Sequence, residues 1–254
     1  KKNDEGYVEI DHKKCISCGR CAMSCPFGAI VERSSIMPVA KMLKDGEHLT
    51  ALIAPAIEGQ FPGTLAQIKQ ALLEVGFSSV IEVSAEAETT SLHEAEELLE
   101  RKTQNQGFMT TSCCPAYMEL ADRHLTFLGQ RKSSALSPMA YSAIQAKEQN
   151  PQTKSIFIGP CLAKKVEARK YDTLDGVITF SELAALFIAK EIDVREMEAS
   201  DLGDTASFED CRQFALTGGV ASCVVSRFKN GSDVEILPIN GLDKKTVRMM
   251  KIWE

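Results

Sequence analysis

Four cysteines near the start of the chain constrain its fold more than any other feature. Cys15, Cys18, Cys21 and Cys25 follow the spacing C-x2-C-x2-C-x3-C, and Pro26 comes directly after the last of them. In the bacterial ferredoxin spacing, three such thiolates bind one [4Fe–4S] cluster and the fourth binds a different cluster. A zinc knuckle or a set of free thiols is the lesser alternative, because zinc sites rarely place three cysteines so close together. The run therefore predicts a small iron–sulfur module.

The ligand count of this run requires further cysteines elsewhere. If Cys25 binds a second cluster, the other three ligands of that cluster and the fourth ligand of the first lie outside the run. We therefore expect a matching run upstream of Lys1, with the chain truncated at its N-terminus. His12, Lys13 and Lys14 flank the run. They form either a solvated basic loop or a docking site for an acidic electron carrier.

Composition narrows the class of protein. Nine cysteines in 254 residues could indicate a disulfide scaffold, but such scaffolds are usually short and secreted, and nothing in the sequence reads as a signal peptide. We therefore expect a reducing, cytoplasmic location. The formal net charge of -6 provides no basic field for phosphates, which argues against nucleic acid as a partner. No apolar run approaches the roughly 20 residues that span a bilayer.

Beyond about residue 36, apolar strand-like runs alternate with amphipathic helical stretches, which is the pattern of an α/β domain. We predict a partial ferredoxin-like α+β module in residues 1–35 and an α/β domain with a parallel sheet in residues 36–254. Strands are predicted at 49–54, 79–83, 107–111, 155–158 and 175–180. Helices are predicted at 64–75, 92–102, from 115, 138–149, after 161, 181–190 with Ser181 as its N-cap, and within 241–254.

Three of the predicted strands end in residues that are unusual at strand ends. The tips are Ala54-Pro55-Ala56, Ser112-Cys113-Cys114-Pro115 and Gly159-Pro160-Cys161. Ligands of open parallel sheets bind beyond the carboxyl ends of the strands. We therefore expect the three tips to converge on one site, to which two of them bring cysteine.

Two of these motifs, together with the ferredoxin-type run, resemble the iron-only ([FeFe]) hydrogenases. Thr111-Ser112-Cys113-Cys114-Pro115 and the sequence PCLAKKVE from Pro160 to Glu167 resemble the first two signature motifs of that family. The resemblance also includes Ala54-Pro55-Ala56 and Ser137-Pro138-Met139, and it extends over essentially the whole chain. It implies a hydrogenase catalytic domain in residues 36–254 and an enzyme that interconverts protons, electrons and molecular hydrogen.

The resemblance also implies a composite cofactor. In that family four cysteines hold a [4Fe–4S] subcluster, which is bridged to a diiron unit that carries CO, cyanide and a dithiolate. By motif position, Cys114 and Cys161 would be two of the four ligands, and Lys164 would donate hydrogen bonds to a cyanide. Considered alone, each cysteine would be interpreted as a buried structural residue and Lys164 as a surface lysine. The cofactor-binding residues that the resemblance implies are Pro55, Ala56, Ser137 and Met139.

A route for protons is implied as well. Cys113 would be the thiol that handles protons beside the diiron unit, and Glu94 and Glu97 would be two acids of the route. The two acids are three residues apart and so share one helix face. Either Ser133 or Ser134 would connect them to Cys113. The alternative for the glutamates is an ordinary solvated acidic face.

The sequence departs from the family pattern near its end. The third family motif, a pair of cluster cysteines in a glycine-rich setting, has no match before Glu254. Cys211 and Cys223 lack the right neighbours, and we interpret both as structural cysteines. We therefore expect the chain to be truncated at its C-terminus as well, and to be inactive by itself. Ala116-Tyr117 stands where many members have Gly-Trp, and Gly159 stands where they have Met.

Two other functions stay open. A non-catalytic iron–sulfur assembly relative would bind clusters without chemistry, although such relatives lack the first cysteine of the vicinal pair, which is Cys113 here. A hydrogen sensor would assemble the site and turn over slowly. For the enzyme, the resemblance implies that the partners are a ferredoxin or another electron carrier, H2 and protons, and the maturation factors that insert the diiron unit.

Overall fold

A parallel β-sheet lies at the centre of the protein. The structure, a computed structural model, describes residues 2–199, 209–228 and 234–253. Its sheet has four parallel strands in the order β2-β1-β3-β4. The strands are β1 (Leu49–Ile53), β2 (Ser79–Glu82), β3 (Lys154–Gly159) and β4 (Gly176–Thr179). The sheet confirms the predicted α/β fold class, and each strand lies within two residues of a predicted one.

Helices connect the strands and cover the sheet. In chain order the described residues form α1 (Arg20–Met23), α2 (Ile36–Lys44), α3 (Leu65–Val75), α4 (Ser84–Thr103), α5 (Pro115–His124), α6 (Thr126–Gly129), α7 (Pro138–Gln149), α8 (Leu162–Glu167), α9 (Phe180–Ala189), α10 (Glu209–Arg212), α11 (Gly219–Ser226) and α12 (Lys244–Met250). No helix among these is long and apolar enough to cross a membrane.

The strand β1 is buried along its whole length because helices pack on both faces of the sheet. Its residues alternate between the faces. Leu49 and Ile53 join a core with α2, α3 and α9. Leu52 joins a second core with α7, in which it meets Met139. Burying a side chain of this size contributes about 2 kcal/mol to stability. The two cores hold the carboxyl ends of β1 and β3 in fixed positions.

Helix caps explain why α3 and α9 begin where they do. Thr64 forms a capping box with Gln67, as the sequence pattern T-x-x-Q indicates, and Gly76 ends the helix at a φ of 122°. The prediction that Ser181 is the N-cap of the helix at 181–190, which is α9, was wrong. Thr179 caps α9 instead, because Glu182 lies three residues after it and completes a second capping box.

Two further predictions, a strand at 107–111 and the start of a helix at residue 92, were also wrong. No strand forms at 107–111, where a single bridge pairs Thr110 with Lys132. The apolar Phe108 is instead half-exposed and packs edge-on against Phe127. The helix predicted from residue 92 begins eight residues earlier, at Ser84. Its first turns lack an apolar repeat, and their burial comes from packing against α10 and α11.

The last part of the chain was also predicted imperfectly. The helix expected within 241–254 is limited to α12, and Asp243 caps it by accepting a hydrogen bond from the Thr246 backbone nitrogen at 2.7 Å. Beyond Glu198, and before the helix expected at its end, the sequence has no clear pattern of helices or strands, and part of that stretch lies outside the described residues. The part that is described contains α10 and α11.

Residues 2–35 form a small module without a fully buried residue. Beyond α1, its regular structure is one antiparallel bridge between Lys2 and Val8. The carboxylate of Glu182 ties the end of the module to the α/β core. It accepts hydrogen bonds from the Ser34 hydroxyl at 2.6 Å and the Ser35 nitrogen at 2.7 Å, and it pairs with Lys165 at 2.8 Å.

Candidate functional site

A cavity of about 240 Å³ lies beyond the carboxyl ends of β1 and β3. Pro55 and Ala56 line it after β1, and Pro160 and Cys161 line it after β3. Cys113 lines it from the turn before α5. The structure therefore brings the three predicted tips together, although the tip that carries Cys113 does not follow a strand. Most of the other lining side chains are apolar.

Two of the motif cysteines lie at the starts of helices: Cys161 lines the cavity, and Cys114 is the neighbour of the lining residue Cys113. Cys114 is the N-cap residue of α5, and Cys161 is the N-cap residue of α8. The positive end of a helix dipole favours a thiolate, which is the form of cysteine that binds metal. Burial raises the pKa of Cys114, and the nearby Cys161 acts in the same direction. Burial likewise raises the pKa of Cys113 to about 12. Cys113 is therefore a neutral thiol in the chain as it stands.

The cavity wall also carries one cationic side chain among the lining residues described, that of Lys164. It lies one turn into α8 from Cys161, and its Nζ atom is 2.7 Å from Oε2 of Glu167. Both side chains are largely buried, so the pair is shielded from solvent. The Lys164 charge also opposes the rise in the pKa of Cys113. The ammonium is therefore placed to interact with an anionic group in the cavity.

The cofactor-binding residues expected from the sequence are only partly assembled. Pro55, Ala56 and Met139 line the cavity. Ser137 is the N-cap residue of α7 and lies next to the lining residue Pro138. Its hydroxyl is buried without a hydrogen-bond partner among the described residues. The structure thus leaves one polar group close to the cavity without a partner.

Glu94 lies on α4 and is completely buried. Its Oε1 atom accepts hydrogen bonds from the backbone nitrogen of Ser112 at 2.7 Å and from the Ser112 hydroxyl at 2.8 Å. Its Oε2 atom has no partner of regular geometry among the described residues. Burial raises the pKa of Glu94 to about 7, although hydrogen bonds from Ser112 and the nearby Ser133 hydroxyl oppose the rise. Its proton can therefore leave and return near neutral pH.

Glu97 has the opposite electrostatic character. Its carboxylate accepts hydrogen bonds from the Ser133 hydroxyl at 2.9 Å and the Ser134 nitrogen at 2.8 Å, and it pairs with Arg101 at 2.8 Å. Burial acts to raise its pKa, but these hydrogen bonds outweigh burial and lower it. Glu96 lies on the exposed side of α4. The solvated-face interpretation therefore fits Glu96 but not Glu94 or Glu97.

These groups are polar neighbours that follow one another from the turn of Cys113 to Glu97. Ser112 connects Glu94 to the residue next to it, Cys113, and Ser133 lies between Glu94 and Glu97. Among the described residues, no hydrogen bond joins Ser133 or Ser134 to Cys113, and the residue that ties Glu94 to the turn carrying Cys113 is Ser112. Sequence reasoning missed Ser112, although it belongs to the same motif as Cys113. It also missed Arg101, which stands one helical turn after Glu97.

Further residues that the sequence did not single out line the cavity, among them Phe157, Phe214 and Ala215. Phe214 and Ala215 line the cavity from the segment between α10 and α11. Phe157 lines it from β3, and a Cβ atom added at Gly159 would lie 2.5 Å from its ring. The ring of Phe157 therefore occupies the space that a larger residue at position 159 would need. This explains how the chain accommodates its departure from methionine at that position.

The N-terminal cysteine run wraps around α1. The Ser17 nitrogen donates a hydrogen bond to the Cys15 sulfur at 3.4 Å. Hydrogen bonds from backbone N–H groups, chiefly that of Phe27, lower the pKa of Cys25. Such N–H groups stabilise thiolates that bind iron. Among the residues described, no three His, Cys, Asp or Glu side chains are close enough to hold a metal ion. The donor set fits iron–sulfur ligation by its chemistry and spacing, including the exposed Cys18 and Cys21.

The run docks beside the cavity. At the C-terminal end of α5, Arg123 donates hydrogen bonds to the backbone oxygens of His12 and Cys15, both at 2.8 Å. A Cβ atom added at Gly19 would lie 2.8 Å from the side chain of Leu162, the residue after Cys161. The cysteine run therefore packs directly against the start of α8, where the cavity begins.

Comparison with known proteins identifies related families. Residues 47–252 match the family described as iron only hydrogenase large subunit, C-terminal domain, and residues 8–31 match the 4Fe-4S binding domain. Iron hydrogenase 1 of Clostridium pasteurianum is 29% identical, with 93% of this chain and 54% of that protein covered. The NADP-reducing hydrogenase subunit HndD of Solidesulfovibrio fructosivorans is also 29% identical, with 81% and 41% covered. The chain thus spans about half the length of these curated relatives.

A third curated relative and a solved structure agree with this comparison. The periplasmic [Fe] hydrogenase large subunit of Nitratidesulfovibrio vulgaris is 30% identical, with 84% of this chain and 66% of that protein covered. A variant of [FeFe]-hydrogenase HydA1 from Chlamydomonas reinhardtii superposes with a TM-score of 0.66 at 22% identity, over 84% of this chain and 62% of that one. At this level of identity, the structural likeness supports the parallel α/β fold alone.

Proposed function

Because the chain belongs to the iron-only hydrogenase large-subunit family, we propose that it carries out the interconversion of protons, electrons and molecular hydrogen at an iron–sulfur site. One observation supports this most: the cavity beyond β1 and β3 has cysteines and a buried cation on its wall, and a chain of proton-exchanging groups leads away from Cys113. A cavity that only held a cluster would not need such a chain.

The cavity residues fit the cofactor of that family. We propose that Cys114 and Cys161 are two thiolate ligands of a [4Fe–4S] subcluster, bridged to a diiron unit with CO, cyanide and dithiolate ligands. When bound, this group would supply the hydrogen chemistry itself. The mostly apolar lining would exclude water from the group and strengthen electrostatic contacts to it. The buried ammonium of Lys164 matches the negative charge of a cyanide ligand.

The remaining cofactor-binding residues would act through shape and single polar groups. Pro55 has no backbone N–H and contributes shape, whereas the N–H of Ala56 can donate a hydrogen bond. Met139 would pack against the group, since its thioether adapts to irregular surfaces. The Ser137 hydroxyl, buried without a partner among the described residues, would gain one. Each of these assignments follows from position on the cavity wall or beside it.

Protons would move along the polar chain. Burial keeps Cys113 protonated by raising its pKa to about 12, and a proton that leaves its thiol toward the cavity can be replaced from Glu94 by way of Ser112. Glu94 exchanges protons easily because its pKa is about 7. Ser133 would connect it to Glu97, which is partly exposed and lies at the outer end of the chain.

Electrons would reach the cavity through the N-terminal cysteines. We propose that Cys15, Cys18 and Cys21 bind one [4Fe–4S] cluster and that Cys25 binds another, as the spacing indicates. The close contact between Gly19 and Leu162 brings the first of these clusters near Cys161. The partners would be a ferredoxin or another electron carrier, H2 and protons, and maturation factors. The division into a module at residues 1–35 and a catalytic domain at 36–254 is part of this proposal.

The proposal is tested by three substitutions in the matured protein expressed from its complete gene. We expect Cys113→Ser and Glu94→Gln each to lower hydrogen evolution by about 100-fold or more, because each removes a proton-transfer group. Glu96→Gln, on the exposed side of the same helix, should leave the rate unchanged. Infrared bands of CO and cyanide should persist in all three variants. Wild-type rates in Cys113→Ser, or the absence of these bands from the wild-type protein, would contradict the proposal.

A further inference from the structure

Two cysteines with no pairing signal in the sequence lie together behind the cavity wall. Cys211 on α10 and Cys223 on α11 have their sulfur atoms 3.2 Å apart. Both residues are almost completely buried, in a small apolar cluster with Ala87 and Phe214. Neither belongs to the cysteine motifs assigned to clusters above. Their proximity therefore needs an explanation of its own.

An arginine is positioned over this pair. The Nη2 atom of Arg227 is 3.3 Å from the Cys211 sulfur and 3.7 Å from the Cys223 sulfur. The guanidinium is held by the Ser91 hydroxyl at 3.1 Å and by Glu88 at 3.2 Å. A fixed positive charge beside two sulfurs repels a metal cation and stabilises a thiolate. The site therefore suits thiol chemistry better than metal binding.

The two thiols differ in their readiness to ionise. The hydrogen bond from Cys211, together with Ser91 and Arg227, lowers the pKa of Cys223 to about 6 despite burial. The same hydrogen bond and burial raise the pKa of Cys211. An attacking thiolate next to a protonated thiol is the arrangement from which protein disulfides form.

We propose that Cys211 and Cys223 are a redox-active dithiol that hydrogen peroxide converts to a disulfide. A disulfide has a sulfur–sulfur distance of about 2.05 Å, so the two sulfurs need to approach by about 1 Å. Both cysteines belong to short helices that contact α4 and each other, and a shift of this size is small compared with what side-chain rotation achieves. Peroxide is small enough to reach a buried pair that a larger disulfide reagent would not enter.

The reaction balances as follows. The Cys223 thiolate attacks one peroxide oxygen, the O–O bond breaks, and the leaving hydroxide takes up a proton, which gives water and a sulfenic acid on Cys223. Cys211, once its proton has passed to the departing oxygen, attacks the Cys223 sulfur. The S–S bond forms and a second water leaves. Two thiols lose two electrons in all, and one peroxide is reduced to two waters.

The position of the pair gives this chemistry a consequence. Phe214 and Ala215, which line the cavity, belong to the loop that a bond between Cys211 and Cys223 would close. The disulfide would tether this part of the cavity wall, because the two helices that carry it could no longer separate. The pair is therefore an oxidation-sensitive site that acts on the wall of the cavity rather than on its metal ligands.

Trypsin provides a direct test, because it separates the two cysteines. Cleavage after Arg195, Arg212 and Arg227 yields the peptides 196–212 and 213–227, each with one cysteine. The intact protein is exposed to one equivalent of hydrogen peroxide under anaerobic conditions, unfolded, alkylated with N-ethylmaleimide and digested. We expect the two peptides to be joined, with a mass two hydrogens below their sum, and to separate after treatment with dithiothreitol. Independent alkylation of both peptides after this exposure would overturn the proposal.

A second variant tests the role of the arginine. Arg227→Gln should slow the appearance of the joined peptides by about tenfold, the change in thiolate population for one unit of pKa. The second peptide then extends to Lys229. Arg169→Gln, an exposed arginine elsewhere, serves as the control and should leave the rate unchanged. An unchanged rate in Arg227→Gln would remove the basis for an activated pair. The readout is a peptide mass, so it does not depend on hydrogen turnover.

Discussion

The N-terminal module and the α/β core differ in what holds them together. Residues 2–35 contain no fully buried residue and depend on docking contacts such as those of Arg123 and Glu182. The core instead buries whole strands between two apolar clusters. A segment without a core of its own is marginally stable unless a metal, disulfide or partner holds it. The comparison teaches that one protein can combine a part whose stability comes from outside its own packing with a part that folds on packing alone.

Removal of iron should produce the largest difference between the two regions, measured as protection from hydrogen exchange. With a chelator under reducing conditions, we expect amides of residues 2–35 to lose nearly all protection from hydrogen exchange, because cluster binding there supplies the folding free energy. Amides of β1 and β3 should retain their protection. Hydrogen exchange followed by mass spectrometry measures both in one sample. Equal loss in the two regions would break the comparison.

Truncation of apolar side chains should show the reverse pattern. Ile158→Ala, at a fully buried position in β3, should lower the free energy of unfolding by about 4 kcal/mol, because it leaves a cavity in the core. Phe27→Ala is the matched change in the module, where the side chain is 91% exposed, and it should alter stability by less than about 0.5 kcal/mol. Urea titration followed by circular dichroism gives both values. A large effect of Phe27→Ala would show that the module has a hidden core or a partner.

The junction between the regions should respond to the loss of one charge. Glu182→Gln should lower stability by about 2 kcal/mol, since it weakens the hydrogen bonds from Ser34 and Ser35 and removes the more buried of the two carboxylates that pair with Lys165. Glu196→Gln, at an exposed position, is the control. Faster proteolysis near residue 35 in the first variant alone would locate the effect at the junction.

Acid should act through the same carboxylate. Burial opposes ionisation, but hydrogen bonds from Lys165, Ser34 and the backbone hold the pKa of Glu182 at about 2, below the ordinary value of 4.5. A lowered pKa means that the contribution of Glu182 is complete above pH 4.5 and is lost as the pH falls toward 2. The wild-type protein should therefore lose stability over this window more steeply than Glu182→Gln. Parallel acid profiles of the two proteins would contradict this assignment.

The smallest expected effect is a difference in stability of about 1 kcal/mol, and it comes from one contact between the regions, that of Gly19 with Leu162. Gly19 and Gly28 both have a positive φ, but only Gly19 meets a neighbour, the Leu162 side chain. Gly28→Ala should cost about 1 kcal/mol from backbone strain, and Gly19→Ala about 2 kcal/mol because it adds a clash. The double variant Gly19→Ala/Leu162→Ala should recover the difference, as a double-mutant cycle can show. Equal costs of the two single changes would mean that the contact is loose.

The same contrast explains what the sequence could predict. The cysteine run is recognisable because its four ligands lie within eleven positions and their spacing alone defines a chemistry. The strands β1 and β3 are recognisable because buried parallel strands are continuous apolar runs. The cap at Thr179 was also readable from its partner three residues later, and choosing Ser181 overlooked that pattern.

Other features depend on distant parts of the chain and left no local pattern. The residues at 107–111 have the composition of a strand. Phe108 among them instead packs against the ring of Phe127, a contact that the sequence does not indicate. The first turns of α4 are buried by α10 and α11, which lie more than a hundred residues later. Likewise, nothing adjacent to Phe214 indicates that it reaches the cavity, and nothing adjacent to Cys211 indicates Cys223.

The order of strands in the sheet has a consequence for how the protein is made. The central pairing joins Leu49 to Lys154, so β1 has no partner on that side until β3 has been synthesised. At roughly 5–20 residues per second, the intervening stretch of about 100 residues takes on the order of 5–20 s to translate. The ferredoxin-type run ends well over 100 residues before β3 begins, so it leaves the ribosome before β3 is made. Its cysteines are therefore available for cluster binding while the cavity beyond β1 and β3 does not yet exist, so the cysteine run can be loaded before the cavity forms.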